Sequence, residues 1–281
     1  MKKVALIYPL ETELPLQSTS YRVHMPRYGL LVVADRLRDE GYEVRTFCEQ
    51  SGSSVDWDYV ESCDIFCFSI LSFSAFKAYK IAKRLREKFP AKPIIFGGSH
   101  ASLAPEDCLD HADYVIRNEG EETLVRLLAL IRDNKSPEDI LGCSLWVDGL
   151  KVHNKSRPFV QNVDRVVKAV LIEDYKKRSL LDYAKDILTS GIPKFNIVVS
   201  QSSRGCPFDC KFCFVKIELG KQYRKKTPQL VLEEVSVGIE QLNSKFVMFV
   251  DNDFCIDRAH SIEVLDLLAN KLLPLPDSKI P

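Results

Sequence analysis

The sequence predicts an α/β protein in which an N-terminal doubly wound parallel sheet, of the Rossmann or flavodoxin type, is followed by an incomplete (β/α) barrel. Two observations carry this prediction. Five short apolar segments alternate with helical patterns up to residue 140, and a strand–helix–strand–helix series begins after residue 191. Parallel strands need crossover helices, so this alternation favours parallel sheets. The predicted domains are 1–140 and 192–281, with a polar linker region over 141–191.

The elements of the first domain follow from the spacing of apolar residues. Apolar runs of strand length lie at 3–9, 42–49, 64–70, 93–98 and 113–118. Helical spacing occurs at 29–41, near Trp57, at 74–89 and at 121–133. These helices are long enough to cross over between parallel strands, which completes a doubly wound domain.

Ligands of such sheets bind at the carboxyl ends of the strands, near the point where the strand order reverses. Small or polar residues predominate at those ends, namely in the loop 9–29, in 69–74 and at Gly97, Gly98, Ser99, His100, Asn118, Glu119, Gly120 and Glu121. They suit close approach of the backbone to a bulky ligand. The alternative for Gly97 and Gly98 is a tight strand-to-helix turn without a ligand.

The second domain opens with two βα units. Strands are predicted from Phe195 and from Lys245, and helices over 227–242 and about 259–272. In parallel barrels the functional groups lie at the carboxyl ends of the strands. Asp251 and Asp253 follow the second strand, so they are candidates for a polar ligand contact. A helix N-cap is the alternative for either aspartate.

Three of the nine cysteines, Cys206, Cys210 and Cys213, share one loop with the spacing CxxxCxxC. Three thiolates can hold three irons of a four-iron cluster and leave the fourth iron open. The alternatives are zinc, which usually takes two close ligand pairs, and redox-active thiols. An odd cysteine count and the absence of a secretory signal pattern disfavour disulfides. The dispersed cysteines are predicted to be buried thiols: Cys48, Cys63, Cys67, Cys108 and Cys143.

The cysteine spacing, with Phe212 just before the third cysteine, resembles the cluster loop of the radical S-adenosylmethionine (radical SAM) enzymes. The resemblance implies a [4Fe-4S] cluster whose open iron binds the amino and carboxylate groups of SAM and cleaves it to a 5′-deoxyadenosyl radical. It places Phe212 along the adenine and makes Asp251 and Asp253 candidates near the methionine end. Without the resemblance, Phe212 would be assigned to the core. Arg204 and Arg224 flank the loop and are candidates for a carboxylate or cluster contact, or for solvated surface residues.

Most of residues 1–133 is similar to the cobalamin-binding domain that precedes the radical domain in one subclass of that family. The similar segments are 26–44, 96–109 and 112–123. The resemblance implies cobalamin binding by Gly97, Gly98, Ser99, His100, Glu119 and Gly120. None of the five histidines lies in a DxHxxG signature. We therefore expect cobalamin without a histidine lower ligand, and His100 near the ligand edge.

The family resemblance implies two possible functions. The first is reductive cleavage of SAM for methyl transfer or radical rearrangement on an unactivated carbon of a small-molecule substrate, with an electron donor such as flavodoxin or ferredoxin. The second is a truncated, non-catalytic module that binds cobalamin or a cluster. The 68 residues after Cys213 (214–281), counted together with the first strand at Phe195, provide two βα units, whereas the family barrel generally has six. We therefore expect a truncated chain, a gene fragment or a partner chain, and no turnover by this chain alone.

Composition narrows the partners and the compartment. Charged residues make up 28% of the chain and the formal net charge is zero, so no basic surface for nucleic acid is expected. No apolar run reaches the length of a membrane span. The sequence thus predicts a cytoplasmic protein without a nucleic-acid partner or a membrane span.

Overall fold

The computed structural model of the protein describes residues 2–10, 23–24, 27–48, 55–165, 167, 179–190 and 195–272. The strands in these ranges are β1 Lys3–Tyr8, β2 Val23–His24, β3 Glu43–Cys48, β4 Ile65–Ser69, β5 Ile94–Gly97, β6 Tyr114–Ile116, β7 Cys143–Val147, β8 Leu150–His153, β9 Phe195–Asn196, β10 Val198–Ser200, β11 Ser203–Arg204, β12 Arg224–Lys225 and β13 Val247–Phe249. The helices are α1 Tyr28–Asp39, α2 Trp57–Ser62, α3 Ala75–Lys88, α4 Ser99–Leu103, α5 Pro105–Leu109, α6 Glu121–Arg132, α7 Leu180–Ser190, α8 Val215–Glu218, α9 Pro228–Leu242 and α10 Arg258–Leu272.

Seven strands form one sheet in the order β3-β1-β4-β5-β6-β7-β8. The first five of these are parallel, with Lys3 opposite Glu43 and Val4 opposite Ile65. Their order is that of a flavodoxin-like doubly wound sheet, in which the chain direction across the sheet reverses between β1 and β4. This confirms the predicted fold of the first domain.

Both faces of this sheet are covered, because its central strands are apolar at nearly every position, with Lys3 and Ser69 at strand ends as the polar residues of β1 and β4. On one face Ile7 and Phe96 pack against Ala78 and Ala82 of α3. On the other face Leu6 packs in a cluster with residues of α1 and α6. Neighbouring residues of one strand therefore enter different cores, as alternation along a strand requires.

The sheet continues beyond residue 140, into the range predicted as a linker. β7 pairs antiparallel with β6, and β8 pairs antiparallel with β7. Asp148 and Gly149 join them in a two-residue turn with φ of 48° and 78°, as expected of a tight hairpin. Cys143 and Leu145 are buried, so the hairpin contributes to the core of the first domain.

In the second domain, β10 and β13 are parallel neighbours, with Val198 opposite Val247. Helix α9 connects them and α10 follows β13, which is the predicted opening of a (β/α) barrel. Val198 and Val199 pack in one cluster with Leu31 of α1, so the second domain packs directly on the first. Val247 and Met248 are 37% and 41% exposed. Among the described helices, none has the length and apolar character needed to cross a membrane.

Candidate cofactor site between the two domains

A cavity of about 380 Å³ lies at the carboxyl ends of the parallel strands. Five of the predicted cofactor residues line it, namely Gly97, Gly98, Ser99, Glu119 and Gly120. The second domain closes its other side with Gln201, Arg204, Glu218, Leu219 and Val250. The structure thus brings these predicted residues together, and their contact with a cofactor stays a prediction.

Gly98 cannot be replaced by a larger residue without a change in the backbone. Its φ is 94°, and a Cβ there would lie 2.8 Å from the carbonyl oxygen of Ile70. A side chain at Gly97 would meet atoms only at 3.8 Å or more. Gly98 is therefore required by the turn from β5 into α4, and this turn also forms part of the cavity wall.

His100 does not line the cavity, although it follows the residues that do. Its Nε2 lies 2.9 Å from the hydroxyl of Tyr79, and its Nδ1 lies 3.1 Å from Oγ of Ser72. The Tyr79 hydroxyl in turn donates to Asp107 at 2.6 Å. These bonds hold the imidazole against α3 and α5. His100 therefore lies outside the cavity wall, whereas the sequence predicts it near the edge of the ligand.

The three clustered cysteines lie in the loop between β11 and β12, whose ends are paired antiparallel through Arg204 and Arg224. Gly205 begins the loop with a φ of 83°, and a Cβ there would overlap the carbonyl oxygen of Gln222. The amide of Cys206 donates to Gly220 at 3.1 Å. The base of the loop is thus fixed by backbone contacts.

The thiols of this loop are accessible, and the donor set fits an iron-sulfur cluster. Cys210 is exposed and Cys206 and Cys213 are partly exposed. No group of three His, Cys, Asp or Glu side chains in the described ranges is already arranged around a common metal position. The amide of Cys213 donates to Cys210 at 3.1 Å, so two of the thiols sit on one turn. Three such thiolates are the ligands of a cubane with one open iron.

The five dispersed cysteines are all buried, as predicted. Burial raises the pKa of the Cys63 and Cys108 thiols to about 11, and that of Cys143 to about 12. These three thiols are therefore protonated near neutral pH and unsuited to metal binding.

Phe212 is 93% exposed, so it does not belong to the core. Its ring is free to contact a ligand beside Cys213. Its predicted stacking along an adenine remains a prediction.

The two candidate aspartates have different surroundings. Asp251 lies at the end of β13 and accepts hydrogen bonds from the amide and the hydroxyl of Ser202, at 3.1 and 2.8 Å, and from the hydroxyl of Ser203. Asp253 accepts from the amide of Cys255 at 3.0 Å. Neither aspartate caps α10. The residue before that helix is Asp257, and its carboxylate accepts a hydrogen bond from the amide of His260. Asp251 thus ties the end of β13 to β11.

A buried ion pair joins the cavity wall to the base of the cysteine loop. Nη1 of Arg224 donates to both carboxylate oxygens of Glu119, at 2.8 and 3.0 Å, and the two side chains are 2% and 4% exposed. Arg204 pairs with Glu121 and lies 3.5 Å from Glu119. Both arginines that flank the loop are therefore structural contacts between domains, and neither is a solvated surface residue.

A second buried network lies behind the first. Nζ of Lys226 donates to Glu234 at 2.8 Å and to the hydroxyl of Tyr28 in α1 at 2.9 Å. Ser200 donates to the same carboxylate at 2.6 Å. Burial lowers the pKa of Lys226, and the Glu234 carboxylate opposes that shift. This network fixes α9 and β10 against the first domain.

Glu218 is a cavity residue that sequence reasoning missed. It ends α8, just after the cysteine loop, and its Oε1 accepts from Oγ of Ser99 at 2.8 Å. Burial raises the pKa of Glu218, and the Ser99 hydrogen bond opposes the shift only in part. A single glutamate in a four-residue helix gives no sequence signal. Only the packing of the two domains places it beside Ser99.

The comparisons with known proteins agree with this arrangement. The model of the B12 binding domain matches residues 18–128. An uncharacterized methyltransferase of Pyrococcus horikoshii is 30% identical over 195 residues, 68% of this chain and 39% of that protein. The hopanoid C-3 methylase of Methylococcus capsulatus is 25% identical over 277 residues, 96% of this chain and 50% of that protein. The chain thus spans half or less of the length of these two relatives.

A solved structure shows the same fold. The radical SAM methyltransferase TsrM from Kitasatospora setae, with cobalamin and a [4Fe-4S] cluster bound, superimposes with a TM-score of 0.69 and 17% identity. The match covers 99% of this chain and 52% of TsrM. Taken with the B12 binding domain and the curated relatives, it leads to one conclusion. The chain belongs to the family of radical S-adenosylmethionine proteins that carry a cobalamin-binding domain.

Proposed function

We propose that this chain forms the cobalamin-binding and cluster-binding part of an enzyme that cleaves SAM reductively for methyl transfer or radical rearrangement on an unactivated carbon. The observation that carries the proposal is the buried pair of Glu119 and Arg224, because it joins the base of the cysteine loop to a residue of the cavity wall. Chemistry that uses two cofactors together requires such a fixed distance. The named methylase among the relatives supports methyl transfer as the outcome.

Each group in the site has a separate task in this proposal. Cys206, Cys210 and Cys213 hold the cluster, and the exposed ring of Phe212 contacts the adenine. When bound, the cluster supplies one electron to break a carbon–sulfur bond of SAM, and cobalamin supplies a methyl carrier. The electron comes from a donor such as flavodoxin or ferredoxin. The substrate is a small molecule, and the apolar walls of the cavity exclude water from the reacting groups.

Two kinds of residue in the cavity wall bind cobalamin in this proposal, namely glycines and polar residues. Gly97, Gly98 and Gly120 line the cavity without a side chain, so the backbone there can approach the corrin closely. Ser99 and Glu119 supply polar groups at the same edge. His100 is directed at Tyr79 and Ser72 and takes no part as a cobalt ligand.

Anaerobic reconstitution with iron and sulfide tests the cluster. We expect one [4Fe-4S] cluster per chain, because the three thiols leave one iron open, and only a trace of 5′-deoxyadenosine on addition of SAM and dithionite, because no sustained turnover is expected of this chain alone. Replacing the three loop cysteines together by alanine abolishes the cluster. Cys255→Ala is the matched control, because Cys255 is an exposed cysteine outside the loop. Purification under anaerobic conditions with stoichiometric zinc and no iron would falsify the cluster assignment.

Electron paramagnetic resonance of the Co(II) form tests the cobalamin part. We expect a spectrum without nitrogen hyperfine splitting from a protein ligand, and no change in His100→Ala. Splitting that disappears in His100→Ala would show that His100 is a ligand and that our assignment is wrong.

A further inference from the structure

Two side chains at one end of the cavity have polar groups without partners. Tyr8 is the last residue of β1, and Arg27 immediately precedes α1. Both line the cavity. Tyr8 is 1% exposed, and the guanidinium of Arg27 lies over its ring at 4.8 Å from the centroid. The guanidinium therefore lies over the face of the ring and close enough to the hydroxyl to oppose the rise in its pKa, but the two groups form no hydrogen bond of normal geometry.

These polar atoms are buried and make no hydrogen bond in the described parts of the chain. They are the Tyr8 hydroxyl and Nε of Arg27. A buried donor without a partner costs about 1–3 kcal/mol, and acceptor oxygens of a bound ligand would remove that cost. Burial raises the pKa of Tyr8 to about 12, which keeps its hydroxyl protonated and able to donate.

The other charged groups of the cavity wall already have partners. Arg204 is paired with Glu121, Glu119 with Arg224, and Glu218 accepts from Ser99. Among the described residues that line the cavity, Arg27 is the cation without a carboxylate. Gly29, in the first turn of α1, lines the same end and has open space where a side chain would be. The positive end of the α1 dipole adds to the charge of Arg27 there.

A guanidinium and a hydroxyl at a helix N-terminus, in a cavity with apolar walls, select an anion with several acceptor oxygens. We propose that Arg27 and Tyr8 form a phosphate subsite that binds the phosphodiester of the cobalamin nucleotide tail. This inference rests on the proposed cobalamin function. The side chains of the corrin ring are neutral amides, so the phosphate is the group of cobalamin that matches the charge of this subsite.

The test compares two corrinoids on the full chain. Cobalamin carries the nucleotide tail with its phosphate, whereas cobinamide has the same corrin ring and amides without them. Binding is followed by the change in corrin absorption, which does not depend on turnover. We expect Arg27→Met to weaken cobalamin binding by roughly tenfold or more, since a hydrogen bond to a charged group is lost. Cobinamide binding changes by less than twofold.

The matched variants sharpen the comparison. Tyr8→Phe has a smaller effect in the same direction, and Arg27→Lys keeps part of the affinity because the charge remains. Arg132→Met is the control, since Arg132 pairs with its neighbour Asp133 away from the cavity. Circular dichroism confirms that each variant is folded before titration.

The outcomes separate this inference from the function on which it rests. An equal loss for both corrinoids in Arg27→Met overturns the inference, because Arg27 then shapes the cavity without reading the phosphate. An unchanged affinity for cobalamin overturns it as well, and would fit a substrate carboxylate as the anion. If the unmodified chain binds neither corrinoid, the proposed cobalamin function fails and the subsite proposal fails with it.

Discussion

The seven-stranded sheet and the region around the cysteine loop differ in what fills the space between their elements. In the sheet, apolar side chains such as Ile7 and Phe96 occupy both faces. At the boundary with the second domain, the contacts include the buried ion pair of Glu119 with Arg224. The hydroxyl of Tyr28 in α1 also accepts a hydrogen bond there from Lys226, which is paired with Glu234 inside the second domain. Apolar side chains can pack in several relative positions of two elements as long as the volumes match. A buried ion pair is favourable only when its two partners meet, so it selects one relative position. We infer that the first domain is stable by itself, that apolar contacts of Val198 and Val199 with Leu31 hold the second domain against it, and that the buried ion pair fixes its position.

The largest expected effect comes from cutting the chain within the first domain. A fragment of residues 1–157 keeps β7 and β8 and should unfold cooperatively. A fragment of residues 1–140 loses the partner strand of β6 together with the buried Cys143 and Leu145. We expect the shorter fragment to be less stable by several kcal/mol, by the apolar area it no longer buries. Denaturant unfolding measures the difference, and equal midpoints would show that the hairpin is dispensable.

The next effect comes from breaking the ion pair between the domains. Glu119→Ala leaves the guanidinium of Arg224 buried without its carboxylate, at a cost of about 3–5 kcal/mol. Hydrogen exchange should rise in residues 195–272 and stay unchanged in β4 and β5. Glu122→Ala is the control, because Glu122 forms a partly exposed pair with Arg36 and should cost less than about 1 kcal/mol. If hydrogen exchange became faster to the same extent in both domains, the inference that the first domain is stable by itself would be wrong.

Alanine substitutions at two glycines with similar φ angles distinguish the cost of a left-handed backbone from the cost of a steric clash. Gly149 has a φ of 78° and open space, whereas Gly205 has a φ of 83° and faces the carbonyl of Gln222. Gly149→Ala should cost about 1 kcal/mol for the left-handed backbone alone. Gly205→Ala should cost about 3 kcal/mol, since the loop must also move. It should also lower the iron content after reconstitution, and equal costs would rule out crowding at the loop.

The smallest effect concerns Glu218, whose pKa is raised by burial. When the pKa of a carboxyl is higher in the folded than in the unfolded state, the free energy of unfolding falls as the pH rises from the unfolded pKa through the folded pKa. Glu218→Gln lacks this loss, so its stability relative to the unmodified chain should increase over that pH window. Denaturant unfolding at several pH values measures it. Glu240→Gln is the control. If the free energy of unfolding of Glu218→Gln followed the same pH profile as that of the unmodified chain, the carboxyl of Glu218 would not be buried as described.

Part of this architecture was predictable because it depends on local sequence. Apolar runs alternating with helical patterns gave the parallel strands, since each strand buries both faces. The close spacing of Cys206, Cys210 and Cys213 predicted one ligand loop, and five cysteines outside it were correctly expected to be buried. The hairpin of β7 and β8 was missed, although Asp148-Gly149 between apolar residues is a strong turn signal.

The remaining features were decided by contacts between residues far apart in the chain. Arg224 is buried because Glu119, 105 positions away, accepts its hydrogen bonds. The orientation of His100 away from the cavity follows from Tyr79, and the burial of Glu218 follows from Ser99. The sequence by itself determined the parallel strands of the first domain and the covered faces of their sheet, and it predicted the cysteines as ligands, because those depend on local spacing. Tertiary structure decided which charges are paired and which remain open to a ligand, because that depends on where the two domains meet.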